Sequence, residues 1–166
     1  IRGTPVILQL MIIYYVVFKS VDVSVVLVGI LAFGINSGAY VAEIIRGGLN
    51  SVDKGQLEAC QVLGYSRSAS YIRIILPQAL YACFPSIGNE VLTLIKDTSL
   101  ITVLGASELL KAGRTAVNTY ATATPFIYVG IIYLLMTMSA EFIMKKMENS
   151  IEKIKKYREL VEKLII

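Results

Sequence analysis

Apolar residues run almost unbroken from Val23 to Ile45, interrupted only by small residues, Asn36 and Glu43. A second such run extends from Phe126 to Met144, with Pro125 before it and Glu141 near its far end. The first would be about 35 Å long as a helix, enough to cross a bilayer. Proline at a helix start costs no hydrogen bond, because that amide has no intrahelical partner. Two further stretches are less clear. Thr4 to Phe18 is apolar but only about 20 Å long as a helix, so on periodicity alone it also fits an interfacial segment. Ile87 to Leu104 is long enough but carries Glu90, Lys96 and Asp97. The pattern predicts an all-α polytopic membrane protein with about four transmembrane helices.

Between the apolar stretches, residues 46–77 are polar and read as two short helices. Asp53 can cap the first, which runs through Gln56, Glu58 and Gln61. Gly64 offers the backbone freedom that stops a helix. Ser66 can cap the second, and Pro77 is expected to end it. On this second helix Ala69, Ile72 and Leu76 share a stripe. Two helices braced at a glycine corner make a knob that can fit a groove on a partner.

Composition supports the membrane reading. The chain is 55% hydrophobic with 17% charged residues, and its mean hydropathy of +0.67 leaves too little polar surface for a soluble domain of 166 residues. It contains no histidine, which removes the commonest general base. Its two cysteines, Cys60 and Cys83, give neither a metal-ligand spacing nor a disulfide framework and read as small packing residues. The net charge of +4 is local, because seven of the 16 Lys and Arg residues lie between Lys145 and Lys163. No basic patch interleaved with aromatics points to nucleic acid. With four crossings, Arg2, then Arg46, Lys54, Arg67 and Arg73, then the tail cations share one face. The other face holds Lys19, Lys111 and Arg114. The positive-inside rule then predicts that the polar loop and the tail are cytoplasmic.

The loop has a characteristic spacing. Glu58-Ala59-Cys60 is followed after three residues by Gly64, and after nine more by Ile74-Ile75-Leu76-Pro77. This resembles the Glu-Ala-Ala coupling loop of prokaryotic ABC-importer permeases, with Cys60 in the place of the second alanine. Arg2-Gly3-Thr4-Pro5, the run from Asn36 to Gly48, Gly55-Gln56-Leu57-Glu58-Ala59, Leu76-Pro77-Gln78-Ala79-Leu80 and Lys96-Asp97-Thr98-Ser99-Leu100 resemble the polar-amino-acid branch of these permeases. The similarity covers roughly residues 2–148. It does not account for the lysine-rich extension beyond Asn149.

The resemblance implies an ATP-driven, binding-protein-dependent amino-acid importer, located in the prokaryotic inner membrane, with this chain as its transmembrane permease subunit. Its implied partners are two ABC ATPase subunits, which bind ATP and Mg, a second permease chain, same or related, an extracytoplasmic substrate-binding protein, and membrane lipid. No cofactor is implied for this chain. Gln56, Leu57, Glu58, Ala59, Cys60, Leu63 and Gly64 would engage the ATPase. Residues 1–148 would form the permease domain. Residues 149–166, with Ile151, Ile154, Val161 and Leu164 at helical spacing, would form an amphipathic tail on the anionic inner leaflet. Family members usually have five crossings, so the chain is expected to lack the first. Its start at Ile1, neither a translation start nor a signal peptide, is expected to lie inside a longer protein.

Polar residues within the spans are candidates for the translocation path. Asn36, Tyr40 and Glu43 fall at i, i+4 and i+7, and Asn89, Thr93 and Lys96 repeat that spacing, with Glu90, Asp97 and Thr98 beside them. A charge in hydrocarbon costs at least about 2.5 kcal/mol at the bilayer centre, so these groups should face protein or water. Two readings remain open. They line a path for a zwitterionic solute, or Lys96 pairs with Glu90 or Asp97, and Glu43 with Arg46, only to neutralise one another. Gly34, Gly38, Ala39 and Ala42 read as packing residues, and Tyr14, Tyr15 and Tyr128 as interfacial anchors. Alternatives are an ABC permease for another small solute, a membrane enzyme using Ser99 and Lys96, and a non-catalytic membrane scaffold.

Overall fold

Of the long apolar runs, Val25–Ser51 forms one continuous helix, α2, and the run after Pro125 lies in α7, Thr124–Ile165. The computed structural model describes residues 3–165, with side chains through residue 153. Both helices are long and apolar enough to cross a membrane, α7 over Thr124–Lys153. Only 6% of the apolar window of α7 is buried within the chain. Ile127, Leu134, Leu135 and Phe142 all point outward. A core helix of a soluble protein would turn such a surface inward, so this one is built for a lipid or protein surround.

The remaining elements, in chain order, are α1 (Val6–Ile12) with a π turn at Ile13–Val17, α3 (Lys54–Val62), α4 (Arg67–Ser70) with a π turn at Tyr71–Ile75, α5 (Leu76–Asp97), a 3₁₀ segment at Thr98–Leu104, and α6 (Leu109–Tyr120). No strand occurs among the described residues. The fold class is all-α. The backbone of α7 is helical to Ile165, but the tail positions Ile154, Val161 and Leu164 lie outside the described side chains.

Two expectations need correction. Pro77 does not end the second short helix, because the chain stays helical from Arg67 to Asp97. The π turn just before it explains how. Leu76 donates to the carbonyl of Tyr71, one residue further back than in an α-helix. The widened turn makes room where the proline ring would clash with the preceding turn and where its amide is missing. The extra residue also shifts the inward face. Ile72 is exposed, and the buried stripe is Ser70, Ile75, Ala79 and Cys83, with a step of five across the π turn and four thereafter. Second, Ile87–Leu104 is not one α-helix. The α geometry ends at Asp97, where the Thr98 and Ser99 hydroxyls donate to the carbonyls of Ile95 and Lys96 at 2.8 and 2.7 Å. These side-chain bonds compete with the backbone ladder. The chain tightens to 3₁₀ until Gly105, at φ +81°, ends it.

The chain divides into two compact units. One comprises Ile1–Tyr40 with Glu90–Ala140, the other Val41–Asn89 with Glu141–Ile166. The core of the first is Leu10, Val28, Ala32, Phe33 and Leu104, with Ile13, Leu94, Leu100 and Ile101 packed against it. In the second, α2 and α5 meet at Gly48. A Cβ there would lie 2.0 Å from Cys83 Sγ and 2.8 Å from the Ala79 carbonyl oxygen. The Cys83 thiol also donates to the Ile44 carbonyl at 3.2 Å. Gly48→Val is therefore expected to destabilise the protein by about 1–3 kcal/mol, the usual cost of overpacking. Gly47→Ala, where nothing lies within 4 Å, should be neutral. Thermal unfolding of the two variants in detergent checks the difference.

Candidate functional site

The polar segment after α2 folds into an elbow whose ends are fixed by local hydrogen bonds. Asp53 caps α3, its Oδ1 accepting from the Gly55 amide at 2.7 Å. At the other end Gly64 takes φ +77°, its amide donates to Gln61 O, and the Tyr65 amide donates to Cys60 O, each at 3.0 Å. This paired arrangement is the Schellman motif, and it needs a residue that tolerates the left-handed region. Ser66 then caps α4 through the Ala69 amide at 3.3 Å. Helix α3 packs against α4 and the π turn that follows it.

Within the elbow, Cys60 is only 2% exposed and faces inward, which accounts for a small side chain at that position. Gln56, Glu58 and Ala59 are exposed and Leu57 is half-buried. The tip is unusual. Val62 and Leu63 are 88% and 73% exposed, two adjacent bare aliphatic side chains at the glycine corner, and Ile72 beyond them is 65% exposed. Gln78, which sequence reasoning did not single out as a site residue, reaches back from α5. Its Nε2 donates to Ile74 O at 3.0 Å and lies 3.5 Å from Gln56 Oε1. The signal was its place directly after Pro77.

The polar residues of the spans fall into distinct settings. Asn36 is buried and donates from Nδ2 to Gln9 Oε1 at 3.2 Å, while Gln9 Nε2 donates to Thr4 Oγ1 at 2.8 Å. Gln9 was missed, since a lone glutamine in a short apolar run carries no signal of a partner 27 residues away. Tyr40 and Glu43 are half-buried. Glu43 accepts from Arg46 Nη2 at 2.6 Å, the ion pair weighed from the sequence. On α5, Asn89, Thr93 and Lys96 are all exposed, as is Thr98 beyond it, whereas Glu90 and Asp97 are half-buried. Among the described residues Lys96 forms no ion pair with Glu90 or Asp97. Ser99 Oγ donates to its own helix at Lys96 O, so its hydroxyl is already engaged there. Among the described residues no group of three or more acidic, histidine or cysteine side chains could hold a metal.

The chain thus joins two long apolar helices, each able to cross a membrane, to a polar elbow that lies between them in sequence. The description of binding-protein-dependent transport system inner membrane components matches residues 1–153. The chain belongs to that family. It is 37% identical over 153 residues to the glutamine transport system permease protein GlnP of Escherichia coli K12, spanning 90% of this chain and 70% of that protein. It is 36% identical over 154 residues to the arginine transport system permease protein ArtQ of Bacillus subtilis, spanning 91% and 70%. A crystal structure of an amino acid ABC transporter with histidines superposes with a TM-score of 0.82 at 32% identity, covering 90% of this chain and 71% of that one. The chain is thus a non-enzymatic transport subunit of the inner membrane.

Proposed function

We propose that this chain is the permease subunit of an ATP-driven, binding-protein-dependent amino-acid importer. In this reading residues 1–148 form the permease domain, paired with a second permease chain. The elbow at residues 46–77 faces the cytoplasm and docks on an ABC ATPase, which binds ATP and Mg. An extracytoplasmic binding protein delivers solute to the opposite face, and Asn89, Thr93 and Lys96 contribute to the path. The relatives that carry glutamine and arginine support an amino-acid substrate. Their substrates differ in charge, so the acidic residues Glu43, Glu90 and Asp97 do not by themselves select a cation.

The observation that carries the reading is the exposed Val62–Leu63 tip on an elbow locked at both ends. Exposed aliphatic pairs on a polar loop are best accounted for by a partner that covers them. With Cys60 and Cys83 replaced by alanine, Val62→Cys should cross-link to the ATPase in proteoliposomes that take up labelled glutamine or arginine. Absence of any adduct in vesicles that still transport would overturn the reading. Competition among labelled amino acids in the same vesicles identifies the solute.

A further inference from the structure

The π turn at Tyr71–Ile75 decides which way the elbow faces. It holds one residue more than an α turn, and the inward stripe steps from Ser70 to Ile75 across it before continuing through Ala79 and Cys83. A regular α-helix counted back from Ile75 would put Tyr71 inward in place of Ser70. Everything on the amino-terminal side would then turn by about 100°, the angle between successive residues of an α-helix. The elbow is on that side. Helix α4 runs straight into the turn, and α3 packs against both. The direction of Val62 and Leu63 relative to α5 therefore depends on whether the turn stays π.

Three local features hold it. Ser70 is fully buried, and its hydroxyl donates to Ser66 O at 3.0 Å, at the capped start of α4. A tyrosine in that seat would overpack it. Beyond the turn, Pro77 lacks an amide and would drive its ring into the preceding turn of a regular helix, so the α alternative is penalised where the π turn is not. Gln78 braces the turn from outside. Its Nε2 donates to Ile74 O at 3.0 Å and lies 3.5 Å from Gln56 Oε1 on α3, and its two amide hydrogens can serve both. Of the three, Pro77 bears most directly on the choice, because it penalises the α form without adding a contact to the π form.

We propose that Pro77 is a positioning residue that pins the π turn and thereby holds the docking elbow at a single rotation about α5. The proposal rests on the transport reading above, in which the elbow docks on the ATPase. In Pro77→Ala the turn relaxes toward α geometry, Ser70 swings out of the buried stripe, and the Val62–Leu63 tip leaves its docking angle.

Deleting one residue separates this role from a merely structural one. Ile72 is 65% exposed, and its removal leaves Ser70 four residues from the next inward position, the spacing of a regular α-helix with the same faces. Uptake by the complete complex in proteoliposomes should fall about fivefold or more in Pro77→Ala, within the usual range of coupling between sites. Combining Pro77→Ala with deletion of Ile72 should return uptake to within about twofold of the parent, because α geometry then gives the orientation that the π turn gave. The readout independent of partners is the reaction of Ser70→Cys with a water-soluble maleimide, in a chain whose Cys60 and Cys83 are replaced by alanine. Position 70 should be protected in the parent and react about tenfold or more faster in Pro77→Ala, a modest share of the bias that proline exerts against a regular helix. It should be protected again in the combined variant. Unchanged protection in Pro77→Ala, continued reactivity in the combined variant, or protection there without return of uptake would each overturn the proposal. Lost protection with parental uptake would overturn it too, since the rotation of the elbow would then not matter. If the parent complex takes up no amino acid, the transport reading itself fails, and the thiol pattern alone decides whether Pro77 pins the turn.

Discussion

Gly64→Pro is expected to remove coupled uptake, by about 100-fold, while the chain still inserts in the membrane; that loss lies toward the upper end of typical inter-site coupling. The reason is geometric. Gly64 sits at φ +77°, and proline is confined near −65°, so the elbow cannot keep its angle. Proline also deletes the amide that donates to Gln61 O, and with it half of the motif that closes α3. A Cβ at this position would meet nothing within 4 Å, so a side chain as such is not crowded there. Gly64→Ala is the discriminating comparison, since alanine can occupy the left-handed region at a cost of about 1–2 kcal/mol. It should retain the elbow and much of the uptake. Parallel measurement of uptake and ATP hydrolysis in proteoliposomes separates the cases: the proline variant should hydrolyse ATP without moving solute. Parental uptake by Gly64→Pro would show that the angle of the elbow does not matter.

The elbow was legible in the sequence wherever its structure is local. Asp53, Ser66 and Gly64 each act on amides within three residues, and all three hold the positions and roles that their side chains or backbone freedom predict. Legibility failed where a local rule met a tertiary compensation. Proline normally ends a helix, but the π turn at Tyr71–Ile75 absorbs Pro77 and turns the inward face onto Ser70, Ile75, Ala79 and Cys83. No periodicity of 3.6 would have found a stripe with a step of five. The 3₁₀ segment was missed for a related reason. Its cause is the pair of hydroxyls at Thr98 and Ser99, which in sequence look like ordinary small polar residues. Gly48 likewise looked like one glycine among several, and its role emerges only from Cys83 and Ala79 opposite it.

The same contrast applies to the intramembrane polar groups. Glu43 and Arg46 are three residues apart on one helix, and their ion pair follows from that spacing. Asn36 is held by Gln9, which reached it from another helix. Both groups therefore have protein partners within this chain. Asn89, Thr93 and Lys96 are all exposed along α5. Leaving an ammonium against lipid costs at least about 2.5 kcal/mol, which favours a polar surround for this stripe. A second permease chain or a wet path would supply it.

Val62→Asp is expected to separate the permease from its ATPase without harming the permease. Val62 is 88% exposed, so its replacement leaves no cavity and breaks no packing. Exposed substitutions of this kind usually change stability by no more than about 0.5 kcal/mol. Docking is another matter. Covering an aliphatic side chain of this size is worth about 1.5–3 kcal/mol, and aspartate both forfeits that and brings a carboxylate that must be desolvated. At 1.4 kcal/mol per tenfold, the combined loss corresponds to about 100-fold or more in affinity. Co-purification with the ATPase and solute-stimulated hydrolysis should both fall, while detergent stability and membrane level match the parent. Val62→Ile provides the control, since it keeps an aliphatic surface and should retain the complex. If Val62→Asp binds the ATPase as tightly as the parent, the exposed tip is not the docking surface, and the contact must be sought on the exposed flank formed by Gln56, Glu58 and Ala59.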